Sequence, residues 1–138
     1  MRRVVDITAQ LPEVKAGEDE SVWAWPEHRL RHTESFVYTH IGDVRAASAA
    51  QDRAVALYPP SHARLRTQVE LHRAIGLIRS GYISDGLGHA TEMLDRLPIE
   101  QHNGNLRMVA RQVLAALPER ETTRPAVAEL RARIGSGS

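Results

Sequence analysis

Helix-breaking glycines and helix-ending prolines recur along the chain at a fixed offset. Gly42 and Gly81 are 39 residues apart, as are Pro59 and Pro98, and each proline follows its glycine by 17 positions. Between them, apolar side chains recur at helical spacing, and no segment alternates with period two for long enough to predict a strand. Glycine can take the left-handed conformation that ends a helix, and proline stops the next helix. The chain is therefore predicted to be all-α, built from antiparallel helical hairpins.

This punctuation divides the 138 residues into segments. Helical hairpins are expected at about 26–58, 62–97 and 100–134, and together they would form one repeat domain. A single hairpin cannot bury its apolar side, so the hairpins are expected to stack on one another. Residues 1–25 are predicted to form an N-terminal helix or arm and a loop that pack on the repeats. Residues 135–138 read Gly-Ser-Gly-Ser, which is typical of a linker or tag remnant.

Apolar stripes predict which side of each helix faces the core. The third helix, about 62–80, is apolar on two sides, which is typical of a helix sandwiched between neighbours. The fifth helix is expected at about 100–117. The stripe of the first helix consists of Leu30, Thr33, Val37 and Ile41, and that of the fourth of Ile83, Leu87, Ala90, Leu94 and Leu97.

Three further positions recur at fixed distances from the two glycines. They are Ser35 and Ala74 seven before, Tyr38 and Leu77 four before, and Ala47 and Gly86 five after. Small residues at such positions let paired helices cross closely. The pattern resembles the tetratricopeptide repeat (TPR), although Glu34 and Arg73 stand where that family has a large apolar residue and its usual period is about 34. The resemblance implies a short TPR-like α-solenoid.

A narrower resemblance covers residues 49–98. These residues read AAQDRAVALYPPSHARLRTQVELHRAIGLIRSGYISDGLGHATEMLDRLP. This segment is similar to the C-terminal repeat region of Xre-type helix-turn-helix transcriptional regulators of GC-rich bacteria. In those regulators a DNA-binding domain precedes the repeats, and the sequence before residue 49 does not resemble one. The resemblance implies a protein- or peptide-binding module, the regulatory or interaction part of such a regulator. The alternative is a small-molecule effector-sensing domain of such a regulator.

The TPR resemblance also implies where a partner would bind, since the first helix of each repeat lines the concave groove of that family. The positions carried over are Arg29, His32, Phe36 and His40 in the first unit and Gln68, Ile78 and Arg79 in the second. Arginine and histidine around a phenylalanine would suit an extended or helical peptide, or an acidic ligand.

Seven histidines raise the question of metal binding or catalysis. His28 and His32 are four residues apart on one helix face, and His40 lies two turns further along it, so two rings could face one ion. The HExxH motif is absent, as are the nucleophile elbow and the P-loop. We therefore expect solvated or hydrogen-bonded histidines, no metal, no cofactor, no catalytic residue and no enzymatic activity.

His72 stands among apolar residues on the third helix. A buried imidazole needs a hydrogen-bond partner, and Glu70 and Glu92 are the candidates in the sequence. We interpret His72 as a core histidine whose ring is hydrogen-bonded, and not as a metal ligand.

Composition and charge limit the partners and the cellular locations that the sequence predicts. The net charge is +1 with no broad basic face, so this segment is not expected to contact nucleic acid directly. Cysteine is absent, which fits a reducing compartment. No apolar run is long enough to span a membrane, and the N-terminus lacks the apolar stretch of a secretory signal. A cytoplasmic location is therefore expected. Apolar ends of a short helical stack also allow a homodimer.

Trp23 and Trp25 are interpreted as anchors of the N-terminal segment, or alternatively as an exposed patch for a partner.

Overall fold

Six α-helices follow one another in the computed structural model, which describes residues 26–135. They are α1 (Glu27–Ile41), α2 (Val44–Leu57), α3 (Ala63–Arg79), α4 (Ile83–Arg96), α5 (Gly104–Ala115) and α6 (Pro125–Ile134). No strand occurs in these residues, which confirms the all-α class. Single 3₁₀ turns follow α2, α4 and α5 at Pro60–His62, Ile99–Gln101 and Glu119–Glu121. The predicted arm of residues 1–25, with Trp23 and Trp25, and residues 136–138 of the predicted linker lie outside the described part.

The predicted glycines form the corners inside the first two helix pairs, Gly42 between α1 and α2 and Gly81 between α3 and α4. Gly42 (φ 93°) and Gly81 (φ 96°) both take a positive φ, which any residue with a side chain adopts only with strain. The Gly42 amide donates to the Tyr38 carbonyl and ends α1. The Asp43 carboxylate then accepts a hydrogen bond from the Ala46 amide (3.1 Å) and caps α2. Each corner therefore ends one helix and starts the next within two or three residues.

The connection between α4 and α5 is longer. The fifth helix was expected from about residue 100 but begins at Gly104, because Ile99–Gln101 forms a separate 3₁₀ turn after Pro98. The Asn103 side chain accepts a hydrogen bond from the Leu106 amide (2.9 Å) and fixes the start of α5. After Ala115, residues 116–124 lead through another 3₁₀ turn to α6.

Helix α3 is the centre of the packing. It contacts α1, α2, α4 and α5, while α1 packs most closely on α2, and α6 packs on α4 more than on α5. Leu71 and Ile75 belong to the core shared with α4, α5 and α6, Val69 packs with residues of α2, and His72 faces α1; each is at most 1% exposed. The prediction of a sandwiched third helix is confirmed.

The apolar stripe predicted the core of α4 correctly, since all five of its residues are buried. The stripe predicted for α1 is wrong in part, because only Leu30 is buried and Ile41 is 65% exposed. Helix α1 instead buries the polar Ser35 and Thr39. Thr39 accepts a hydrogen bond from Gln51 of α2 (3.2 Å), and Ser35 pairs with a histidine of α3. Satisfied polar groups can be buried at low cost, and hydropathy alone does not reveal them.

Helices α3 and α4 approach closely at Gly86. A Cβ atom there would lie 2.6 Å from Ile78 Cγ1 and 2.8 Å from the Ala74 carbonyl oxygen. Only glycine therefore fits without movement of a neighbour. Within the described residues, no helix has both the length and the apolarity needed to cross a membrane.

Candidate functional site

Four ring side chains form a row along α1. His28, His32, Phe36 and His40 are spaced four residues apart, which places them on one side of a helix. We call this row the α1 face. Phe36 and His40 are in direct contact, with ring centroids 4.4 Å apart, and Phe36 remains 42% exposed.

Tyr58 closes the N-terminal half of the α1 face. It follows the last residue of α2, and its ring lies 4.8 Å from His28 and 5.8 Å from His32. Its hydroxyl and His32 Nδ1 share a hydrogen bond of 2.7 Å. His62, two residues past the Pro59-Pro60 pair, stacks on Tyr58 (5.9 Å) and also contacts His28 (5.7 Å). This contact holds the start of α1 against the α2–α3 connection.

His72 of α3 supports the α1 face from below. It is 1% exposed, and its ring is in edge contact with His32 (5.5 Å) and Phe36 (5.8 Å). The partner of its Nδ1 atom is the hydroxyl of Ser35 (2.8 Å). The candidates from the sequence, Glu70 and Glu92, do not bond it.

The two predicted partners of His72 are occupied elsewhere. Glu70 bonds His89 Nε2 (2.9 Å) and Arg73, and Glu92 pairs with Arg96 of its own helix. His72 is a core histidine with one satisfied nitrogen. The sequence could not identify Ser35 as its partner, because the two residues are 37 positions apart.

The rings of the α1 face are held in the neutral form. Burial lowers the pKa of His72 to about 3 and that of His32 to about 4, with the nearby Arg29 adding to the effect at His32. Burial raises the pKa of Tyr58 to about 12. The pKa of His28 is lowered by burial and then by His62.

The exposed end of the row behaves in the same way. Burial and then the charge of Arg79 lower the pKa of His40. The Gln112 side chain of α5 lies beside His40 and opposes this shift, although its buried Oε1 atom forms no well-aligned hydrogen bond within the described residues. Neutral rings at physiological pH make the α1 face a surface of hydrogen-bonding and aromatic groups.

Two arginines supply the charge of this surface. Arg29 is exposed on α1, and Arg79 at the end of α3 donates from Nη1 to the Thr39 carbonyl (3.0 Å). Neither guanidinium forms an ion pair with a residue in 26–135. Within the described residues both therefore keep N–H donors of the kind that suits carboxylates.

The structure brings five of the seven predicted binding residues to one surface: Arg29, His32, Phe36, His40 and Arg79. Gln68 (8% exposed) and Ile78 (2% exposed) are buried and do not extend it. Ile78 faces Gly86 in the core between α3 and α4. The position carried over to Ile78 from the TPR pattern therefore points into the core in this helix.

Sequence reasoning missed Tyr58, His62 and Gln112 as neighbours of this surface. Tyr58 and His62 flank the Pro59-Pro60 pair, but nothing in the sequence says that they fold back onto α1. Gln112 lies beside His40 although the two residues belong to α5 and α1, helices that both pack on α3.

The arrangement does not favour a metal or a nucleophile. Among residues 26–135 no group of three or more histidine, aspartate or glutamate side chains lies close enough together to hold a metal ion. Ser35 and His72 form a serine–histidine pair, but at 0% and 1% exposure neither can meet a substrate. Comparison of the chain with protein-family models, with curated proteins and with solved structures gave no match.

Proposed function

We propose that this chain is a protein- or peptide-binding module whose helices pair into TPR-like hairpins and whose binding surface is the α1 face with Arg29 and Arg79. The observation that carries the proposal is Phe36. This aromatic ring is 42% exposed in a row of neutral rings, and near the two ends of the row lie Arg29 and Arg79, which form no ion pair with residues 26–135. Partly exposed aromatic and arginine side chains are the residue types that dominate binding energy at protein interfaces.

The packing supports the repeat interpretation. Each of the first two helix pairs turns at a glycine with positive φ, and each first helix packs on the first helix of the next pair. The small residue five positions after Gly81 is required by close contact with α3. These features are what stacked helical hairpins need. The link to an Xre-type regulator rests on the resemblance of residues 49–98 alone.

The ligand that fits best is a peptide with an apolar or aromatic side chain next to a carboxylate. Phe36 and His40 offer ring contacts, and Arg79 offers a charged donor beside them. The surface is open on the Phe36 side, which favours a peptide over the enclosed small molecule of an effector domain. The burial of the Ser35–His72 pair favours binding over catalysis.

Peptide selection on the full chain tests this proposal. A library of random dodecapeptides is panned on the immobilised protein, and the selected peptides are titrated against wild type, Phe36→Ala and Arg79→Ala. We expect Phe36→Ala to weaken binding by about tenfold or more, as for an aromatic at the centre of an interface. The matched controls are Tyr82→Ala, an aromatic that is 60% exposed elsewhere, and Arg45→Ala.

Unchanged affinity of every selected peptide for both Phe36→Ala and Arg79→Ala would exclude the α1 face as the binding surface. A thermal-shift screen with small molecules covers the alternative. A metabolite that binds an effector domain would raise its melting temperature through mass action. If one metabolite stabilised the wild type but not Phe36→Ala, the α1 face would be a small-molecule site and the peptide proposal would be wrong.

A further inference from the structure

The last two helices do not close on each other as the first two pairs do. Helix α6 packs mainly on α4 and touches α5 little, and residues 116–124 join the two instead of a two- or three-residue corner. The gap leaves a surface depression of about 590 Å³ between the outer sides of α5 and α6. A second depression of about 370 Å³ adjoins it and shares Ala132, Ile134 and Gly135.

The floor of this C-terminal groove is apolar. Leu114 of α5 and Ala128, Ala132 and Ile134 of α6 line the larger depression. Ile99 lines the smaller one and is 68% exposed, the largest exposed fraction among the large apolar side chains of residues 26–135. On α6 the exposed part of this floor consists of Ala128 and Ala132, one turn apart, while Ile134 is only 6% exposed. Helix α6 has ten residues and is about 15 Å long.

The rim of the C-terminal groove is positively charged, and its charge is largely unbalanced by the described part of the chain. Arg111 and Arg131 line it, and neither forms an ion pair or a hydrogen bond with residues 26–135. Arg107 donates only to the His102 carbonyl (3.3 Å). Arg133 is neutralised by Asp95 (3.0 Å), and among residues 26–135 no acidic side chain lines either depression.

This charge decides between the possible occupants. A second copy related by a two-fold axis would place the same patch on itself and bring unpaired arginines together. Like charges in an interface are unfavourable. A partner with carboxylates beside an apolar stripe would satisfy both the floor and the rim.

We propose that the C-terminal groove is a docking site for an acidic amphipathic helix, separate from the α1 face. The apolar side of such a helix, with residues at i, i+3, i+4 and i+7, would lie between α5 and α6. Its flanking glutamates would pair with Arg111 and Arg131, whose planar guanidinium groups suit carboxylates. The proposal does not depend on the function proposed for the α1 face, which uses other residues.

Fluorescence anisotropy with a designed probe tests the site. The probe is a fluorescein-labelled 15-residue helical peptide with leucines on one side and glutamates flanking them. A scrambled peptide of the same composition is the first control. The full chain is compared with Arg111→Glu/Arg131→Glu and with Ala132→Trp, which places bulk on the groove floor. All three positions are exposed, so these variants should keep the fold, as circular dichroism will verify.

We expect the probe to bind the wild type more tightly than the scrambled peptide does. Reversal of both arginines should weaken binding about tenfold or more, since two attractive contacts become repulsive. Ala132→Trp should weaken it as well. The charge-matched control Arg45→Glu/Arg120→Glu and the α1-face variant Phe36→Ala should bind like the wild type.

Three outcomes overturn the proposal. They are equal binding of the scrambled peptide, equal loss in the Arg45→Glu/Arg120→Glu control, and unchanged binding in both groove variants. Sedimentation of the unliganded chain adds a fourth. A dimer that Ala132→Trp dissociates would show that a second copy occupies the groove.

Discussion

Substitution of Gly86 by alanine should destabilise the protein, although alanine is the better helix former. Gly86 lies in α4 where a Cβ atom would meet Ile78 Cγ1 at 2.6 Å and the Ala74 carbonyl oxygen at 2.8 Å. Ile78 can turn, but the carbonyl belongs to the backbone of α3, so the two helices must move apart. Gly88, two residues along the same helix, has nothing within 4 Å of its Cβ position.

The two glycines give a matched pair that isolates the packing term. Alanine in place of glycine inside a helix contributes up to about 1 kcal/mol of stability, and this gain should be similar at both positions. Overpacking of a well-filled contact costs about 1–3 kcal/mol. Gly88→Ala should therefore be stabilising, and Gly86→Ala should be less stable than Gly88→Ala by about 1–3 kcal/mol.

Urea denaturation followed by circular dichroism at 222 nm measures this difference. Gly76→Ala on α3, where the Cβ position is also free, should behave like Gly88→Ala. For a domain of this size the expected gap corresponds to a difference in melting temperature of about 4 °C or more between Gly88→Ala and Gly86→Ala. A gap below about 0.5 kcal/mol, the size of ordinary surface effects, would refute the close α3–α4 contact.

Three further predictions concern the polar contacts. Ser35→Ala should destabilise the fold by about 1–3 kcal/mol, because it leaves the buried His72 Nδ1 unpartnered; Ser35→Ala/His72→Leu should recover part of this in the same urea titration. Acidification should also destabilise the fold. The lowered folded-state pKa values of His32 (about 4) and His72 (about 3) mean that the unfolded chain binds more protons below pH 6.5. Urea midpoints should therefore fall steadily from pH 6.5 toward pH 4, and a flat profile would show that these rings are not buried neutral. Asp43→Ala should cost about 1 kcal/mol by removing the cap of α2, whereas Asp43→Asn, which keeps the accepting oxygen, should cost much less in thermal melts.

The sequence predicted the helices whose contacts are apolar. In α4 every third or fourth residue is apolar, and each of these is buried. The corners were equally predictable, since Gly42 and Gly81 adopt the conformation for which glycine is suited. The start of α5 was not predictable in the same way. Residues 100–103 are compatible with a helix, but in the structure Ile99–Gln101 forms a separate 3₁₀ turn and α5 begins only at Gly104.

The site was predictable along α1 but not across the helices. The spacing of His28, His32, Phe36 and His40 places them in one row, as the structure confirms. What lies under and beside the row depends on tertiary contacts between residues far apart in sequence, as with Tyr58 and His32. The TPR pattern predicts that Ile78 lies in the groove, but in the structure Ile78 faces Gly86 of α4 in the core.

The polar contacts of α1 connect its fold to its surface. Leu30 is the only large apolar side chain that α1 buries fully. Its position is otherwise fixed by directed hydrogen bonds, between Tyr58 and His32, from Gln51 to Thr39 and between Ser35 and His72. Each such bond contributes only about 0.5–1.5 kcal/mol, but each tolerates little rotation of the helix. The same bonds that hold α1 against α2 and α3 therefore also orient the ring row, so that Phe36 and His40 stay exposed while His32 is held inward by Tyr58.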